Sequence, residues 1–388
     1  MSEWTLTEQV LLGVFAAMWL YQLYFYLRYI LAAVRRTRAN VNCQLPTANC
    51  QLPGVSVIVC AKNEENNLRD YMQALLTQDY PEYEVIVVND GSVDDTRTYL
   101  EYWQKRYKNL KVTFVPEGAK VTSTKKLAIT LGAKAAQYDY LLLTDADCRP
   151  ESTHWIREMM SGFRDTNTAI VLGFGAYFVK PGLLNRLIQF DTLFNGLQYL
   201  GQAASGHPYM GVGRNLAYRK DLFFAHGGFY GLLNNKAGDD DLFINREATR
   251  SNTAVVCTPE SLTWSVPKAS LKEWLHQKRR HLSVAPKYKA STKWRLGLEP
   301  LTRGLLYAAV IALVVVNCQL SIVNLPMLIA LGAMALRWIG QCVLLNIAAH
   351  RWGTRKTVLL IPVWETLLPL ITLVMMLIEP LRPKPKRW

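Results

Sequence analysis

Two carboxylates stand one residue apart at the end of an apolar run, Leu141-Leu142-Leu143-Thr144-Asp145-Ala146-Asp147-Cys148. Residues i and i+2 of a strand share a face, so Asp145 and Asp147 can converge on one divalent cation. Oxygen-only ligands suit Mg²⁺ or Mn²⁺, which keep coordination positions free for phosphates. A lone Asp-x-Asp more often just caps a polar turn, so the metal reading needs support from the rest of the chain. Further candidates are the acidic run Gly238-Asp239-Asp240-Asp241 and the pair Gln277 and Arg280 on one basic amphipathic stretch. The seven cysteines form no Cys-x-x-Cys pair, which argues against a zinc site or a disulfide framework. His154, His207 and His226 lack metal-ligand spacing and read as structural.

The elements that must position these residues alternate. Apolar runs at Val55 to Val59, Tyr83 to Val88, Val112 to Val115 and Tyr140 to Leu143 read as strands, the first two buried on both faces. Between them lie helical stretches, the first opening near Asn63 and Glu64, the second near Asp94 and Asp95, the third at Thr124-Lys125-Lys126. Strands alternating with helices imply an α/β fold with a parallel-rich sheet, whose ligands bind beyond the carboxyl ends of the strands. Asn63, Asp90, Asp145 and Asp147 all fall at such ends. Ala169 to Phe178 reads as a strand broken by Gly173 and Gly175, Phe190 to Leu200 as a helix, and Leu271 to Ser283 as a basic amphipathic helix. Tyr199 and Trp274 read as core or interface residues, and Lys126 as a solvated neighbour of Lys125.

The chain has 388 residues, half of them hydrophobic, and a formal net charge of +14. Its basic residues cluster beside apolar stretches: Arg35, Arg36 and Arg38 after the first, Lys278-Arg279-Arg280 before the second, Arg382 to Arg387 after the last. That distribution points to a membrane edge and away from nucleic acid. Residues 9–33 can span a bilayer, with the N-terminus outside and residue 35 onward inside. Apolar stretches return at 304–324, 326–348 and 357–379; the last, with Pro362, Glu365 and Pro369, is expected to be re-entrant or interfacial. The expected organisation is a membrane helix with its basic flank (1–39), a linker (40–53) holding Asn-Cys-Gln-Leu-Pro twice, a cytoplasmic domain (54–298) and a C-terminal membrane region (299–388).

In this order the motifs resemble those of the membrane-embedded inverting glycosyltransferases of family 2, the branch of cellulose, hyaluronan and poly-N-acetylglucosamine synthases and of ceramide glucosyltransferases. The resemblance spans about residues 54–285. It rests on Asn63-Glu64-Glu65, Asp90, Lys125-x-x-Ala128, Asp145-x-Asp147, and Gly238-Asp239-Asp240 followed by Gln277-x-x-Arg280. It implies a GT-A-like nucleotide-sugar-binding domain and a metal-dependent glycosyltransferase at a bacterial inner membrane. The donor would be a nucleotide-sugar, UDP-linked by expectation. The acceptor would be a lipid, a lipid-linked molecule or a glycan, with export partners where a polymer is made. By resemblance, Asn63, Glu64, Asp90 and Lys125 would bind the nucleotide, with Asp145 beside it and on the metal. Asp147 would hold the metal, Asp240 would be the general base with Asp239 as the alternative, and Arg280 would steady the diphosphate while Gln277 shapes the acceptor site.

His281 departs from the family pattern. The processive synthases carry Trp after this Arg, under the acceptor sugar; imidazole is smaller and titratable. With a short membrane region, this favours transfer of one or a few sugars over polymer export. A processive polysaccharide synthase is the alternative, and an inactive scaffold or export subunit is another, disfavoured by the intact set Asp90, Asp145, Asp147 and Asp240. A sugar-nucleotide pyrophosphorylase would need a glycine-rich loop where this chain has Ala61-Lys62-Asn63-Glu64-Glu65.

Overall fold

A computed structural model describes residues 4–38, 52–116, 123–232, 238–319, 325–356 and 360–378. Most of the repeat-bearing stretch 40–53 and the basic tail from residue 379 lie outside them.

The strands are β1 (Val55–Ala61), β2 (Tyr83–Asn89), β3 (Leu110–Phe114), β4 (Tyr140–Asp145), β5 (Cys148–Pro150), β6 (Ile170–Leu172), β7 (Gly175–Tyr177), β8 (Leu216–Arg219), β9 (Thr253–Val255) and β10 (Thr263–Ser265). The main sheet runs β3-β2-β1-β4-β8-β6-β9. β1 to β4 are mutually parallel in it, whereas β8 lies antiparallel between β4 and β6. β1, β2 and β4 are buried along almost their whole length, as continuous valine and leucine runs require. A second sheet, β5-β10-β7, stands at the edge of the site.

The stretch 169–178, expected as one broken strand, is two strands in two sheets. The break is at Gly173, where a Cβ would meet Asn215 Cγ at 2.5 Å. Asn215 fills that corner: its Nδ2 donates to Phe174 O and Ser261 O, and its Oδ1 accepts from Trp155 Nε1.

Among the described residues, three helices are long and apolar enough to cross a membrane: Leu6–Arg36, Ala290–Asn317 and Leu325–Arg351. The first opens on a capping box between Thr5 and Glu8. It contains a π turn at Tyr26–Ile30, and the charged residue inside it, Arg28, donates from Nη2 to Ser205 O at the end of the 183–204 helix. The second begins at Ala290, so the boundary placed at 298 falls inside a continuous helix. Its first turns hold Lys293, Arg295 and Glu299, which hid its start from a search for apolar residues. Arg351, at the end of the third, donates to Val34 O and Thr37 Oγ1, so the C-terminal ends of the first and third helices meet. Trp352 stacks on Phe174 with ring centroids 3.9 Å apart and donates to Cys257 O, fixing that corner to the sheet domain. The remaining apolar helix, Ile361–Ile378, is shorter and carries Pro369 and a buried Glu365.

Candidate active site

β4 delivers Asp145 at its last position, and the turn to β5 delivers Asp147. One oxygen of each carboxylate and the Cys148 sulfur lie within 4.8 Å of one another. Asp147 is held at both oxygens: Ser265 Oγ, from β10, donates to Oδ2 at 2.9 Å, and the Cys148 thiol donates to Oδ1 at 3.3 Å. Asp145 gives Oδ1 to Lys125 Nζ at 2.8 Å. Two half-buried carboxylates leave lone pairs for a hard, oxygen-seeking cation, so the donor set fits Mg²⁺ or Mn²⁺.

Lys125 stands in the first turn of the helix Thr124–Ala135, which Ser123 caps. Its ammonium also reaches Asp239 Oδ2 at 3.3 Å. Desolvation opposes that charge, but Asp145, Asp239 and Asp240 hold the ammonium pKa well above its usual value. Lys126, expected in solvent, is fully buried and donates to Leu232 O at 3.0 Å. A step of 100° around the helix turns it from the site into the core, where desolvation lowers its pKa.

The three consecutive aspartates have separate environments. Gly238 adopts φ +86°, and a Cβ there would meet Leu242 Cγ at 2.7 Å, so the turn into the helix Asp241–Glu247 needs glycine. Burial raises the Asp239 carboxyl pKa, but Lys125 outweighs it and holds the group below its ordinary range. Asp240 accepts from Gly213 N at Oδ2 and from Asp241 N at Oδ1, both at 2.8 Å. Burial and then the Asp239 charge push its carboxyl pKa up, against Lys125. Asp241 is buried, and desolvation followed by its two acidic neighbours raises it well above the usual carboxylate value. The two neighbouring carboxylates thus carry opposed shifts, Asp239 in an ion pair with Lys125 and Asp240 held by two backbone N–H groups.

The helix Leu271–Leu282, capped by Ser270, brings up the other candidates. Gln277 Nε2 donates to Tyr177 Oη at 2.9 Å. The Tyr177 ring in turn carries Arg214, 4.2 Å from its centroid, whose guanidinium donates to Gly175 O and Ala176 O. Arg280 and His281 line the same cavity. Desolvation inside the cavity, then Arg280, Lys278 and Arg214, lower the His281 imidazole pKa, and because the side chain is also exposed to solvent the neighbouring cations are the firmer cause.

A single cavity of about 1790 Å³ gathers Lys125, Asp145, Asp147, Asp239, Asp240, Gln277, Arg280 and His281 on its wall. Asn63, Glu64 and Asp90 stand outside that wall. Asp90 is buried at the end of β2, with Lys62 Nζ 3.6 Å away. Asn63 takes φ +56° and bridges to the next loop: its N–H donates to Ser92 Oγ, and its Oδ1 accepts from Val93 N. Glu64 occupies the N-cap position of the helix Glu65–Leu76 without a side-chain cap. Burial raises its carboxyl pKa, against a hydrogen bond from Asn67 Nδ2, with the Asp147 and Asp145 charges adding to the rise. Asp94 caps across the loops: Oδ2 accepts from Glu65 N and Oδ1 from Thr96 N.

The sequence reading assigned no role to Gly213, Arg214, Tyr177 or Ser265. The Gly211-x-Gly213 spacing is a signal that could have marked a close backbone approach there. Ser265 and Tyr177 gave no signal, because only the pairing of β10 with β5 and β7 brings them to the site.

Residues 56–227 match the family model described as Glycosyl transferase family 2. The chain is 26% identical over 238 residues to "Probable glycosyltransferase YdaM" of Bacillus subtilis, covering 59% of this chain and 54% of that one. It is 34% identical over 97 residues to the poly-beta-1,6-N-acetyl-D-glucosamine synthase of Staphylococcus epidermidis, covering 25% of this chain and 22% of that one. The chain thus spans about half or less of the length of these relatives. Its fold is similar to that of the mannosyltransferase PcManGT of Pyrobaculum calidifontis, solved with GDP-Man and Mn²⁺, at a TM-score of 0.54 and 20% identity, covering 88% of this chain and 99% of that one.

Proposed function

Residues 56–227 form a glycosyl transferase family 2 domain, and from that premise we propose that this chain is a membrane-bound, metal-dependent inverting glycosyltransferase. It takes a sugar from a nucleotide-sugar, UDP-linked by expectation, and passes it to a hydroxyl of a lipid, lipid-linked or glycan acceptor. The observation that carries the reading is the shared cavity. Its wall joins the Asp145, Asp147 and Asp240 carboxylates to residues of the membrane helices, Leu301 and Leu305 among them.

Asp145 and Asp147 would hold Mg²⁺ or Mn²⁺, which when bound offsets the charge of the departing diphosphate. Lys125 and Arg280 add cationic contacts to the same diphosphate, and Asp90, with Asn63 and Glu64 nearby, belongs to the nucleoside end. Asp240 is the base: its two backbone donors fix its orientation, and its raised pKa suits a proton acceptor. The acceptor oxygen bonds to the anomeric carbon from the face opposite the diphosphate, and its proton passes to Asp240. The bond from that carbon to the diphosphate breaks with its electron pair on the leaving group. Asp239, paired with Lys125, is the poorer base. Arg35, Arg36, Arg38 and Lys289 flank membrane helices on the domain's side, which supports a cytoplasmic catalytic domain.

The test supplies the purified full chain in nanodiscs with Mn²⁺ and radiolabelled nucleotide-sugars. Products are separated into organic-extractable lipid, small soluble sugar and polymer. Metal-dependent incorporation abolished by Asp240→Asn is expected. Binding of UDP and Mn²⁺ without transfer to any acceptor would instead favour a scaffold.

A further inference from the structure

We infer that the acceptor is an uncharged, hydroxyl-bearing lipid whose tail lies against the membrane helices and whose headgroup is read by Asp191; this rests on the function proposed above and names its substrate class. The cavity wall that carries Asp240 also carries Leu301 and Leu305 of the 290–319 helix and Leu368, Leu373 and Met376 of the 361–378 helix. Leu301, Leu305 and Leu373 are exposed, on or beside a helix long and apolar enough to cross a membrane. The cavity therefore opens onto a surface that hydrocarbon covers. A water-soluble glycan gains nothing from that wall, whereas an acyl or alkyl chain is at home there.

The polar half of the argument is Asp191, on the helix Leu183–Ala204 and only 9% exposed, on the same wall. Its Oδ1 accepts from Lys278 Nζ at 2.7 Å and from Asn195 Nδ2 at 2.9 Å. Its Oδ2 accepts from no protein group among the described residues and is open to an O–H donor. Lys278, the cation nearest this carboxylate, is paired with it within the protein. A fixed carboxylate there repels anions and accepts hydroxyls. Phe190 and Phe194, with centroids 6.2 Å apart and stacked, flank Asp191 on the cavity side and give the bound molecule an apolar face. Neither residue belongs to the catalytic cluster or to the family motifs.

The experiment uses the full chain in phosphatidylcholine nanodiscs. Mn²⁺-dependent UDP binding is measured by calorimetry, and label transfer is followed to dioleoylglycerol, dihexanoylglycerol, octyl glucoside and dioleoyl phosphatidate. Expected are transfer to the neutral lipids and not to phosphatidate, and an acceptor KM raised about tenfold by Asp191→Asn with UDP affinity unchanged. Leu373→Trp, which narrows the apolar end, should raise the KM for dioleoylglycerol and not for dihexanoylglycerol. Transfer only to phosphatidate or only into polymer overturns the inference, as does an Asp191→Asn enzyme with unaltered acceptor KM, or intact UDP binding with no lipid labelled. Loss of Mn²⁺-dependent UDP binding in the wild-type chain would instead overturn the function it rests on.

Discussion

Ser265 Oγ donates to Asp147 Oδ2 across 2.9 Å, joining residues 118 apart in the chain. The strand pairing of β10 with β5 sets this contact, with Ser265 opposite Cys148. A carboxylate whose orientation is fixed before the cation arrives loses less entropy on binding it. Ser265→Ala should weaken Mn²⁺ binding about tenfold, read by electron paramagnetic resonance of free Mn²⁺ during titration. UDP binding without metal should stay as in the wild type. An unaltered Mn²⁺ affinity would show that the hydroxyl serves packing alone.

Asp239 and Asp240 differ in what faces them, and substitution should separate them. Asp240→Asn keeps the shape and an oxygen for one of the two backbone donors but removes the proton acceptor, so kcat should fall about 10²- to 10⁴-fold, with donor KM nearly constant. Asp239→Asn takes a partner from Lys125 and should raise donor KM as well.

The pH profile follows from the same pair. A base must be ionised, so kcat/KM should rise with pH, its acid limb lying above the ordinary carboxylate range because burial and Asp239 raise Asp240. In Asp239→Asn one of those causes is gone, and the limb should move to lower pH. Stability runs the other way. Asp240 and Asp241 bind protons more tightly folded than unfolded, so stability should decline as pH rises from the ordinary carboxylate range through their raised values. A rate profile whose acid limb ignores Asp239→Asn would argue against Asp240 as the base.

The strands and the acidic motifs were legible because both follow local rules. Continuous apolar runs mark strands buried on both faces, and parallel α/β sheets put polar ligands at strand ends, where Asp145 and Asp147 stand. Lys126 was misread because neighbouring residues on a helix share sequence context but not a face. The start of the 290–319 helix was hidden because its first turns are amphipathic. Ser265 and Tyr177 were invisible because their roles come from pairing between distant strands, and Arg214 because its contact is with the Tyr177 ring; no local pattern encodes either.

Gly201 marks where the domain meets its membrane helix. A Cβ there would stand 2.0 Å from Tyr29 O, inside the π turn that also presents Arg28 to Ser205. The obstacle is backbone, so no rotamer change relieves it. Gly201→Ala should cost about 1–3 kcal/mol as the two helices separate, seen as a lower thermal midpoint in detergent. An alanine variant as stable as the wild type would mean that the helices can slide apart without loss.

The three long apolar helices and the shorter 361–378 helix share a buried polar cluster, which gives the last prediction. Arg337 pairs with Glu365, and its Nη2 also donates to Gln22 Oε1 at 2.8 Å. Gln341 Nε2 donates to Glu365 Oε1 and to Tyr26 Oη. Pro369 has no N–H for the Glu365 carbonyl one turn earlier, and Arg303 Nη1 donates to that carbonyl at 3.3 Å while its Nη2 donates to Glu299. Four helices are thus tied through charges that hydrocarbon would not tolerate singly. Arg337→Met leaves Glu365 buried without its cation and should destabilise the chain by about 3–5 kcal/mol. Arg337→Met with Glu365→Gln removes both charges and should recover much of that loss. Unfolding titrations in mixed micelles measure both. Equal losses in the single and double variants would show that shape, and not charge balance, holds the 361–378 helix in place.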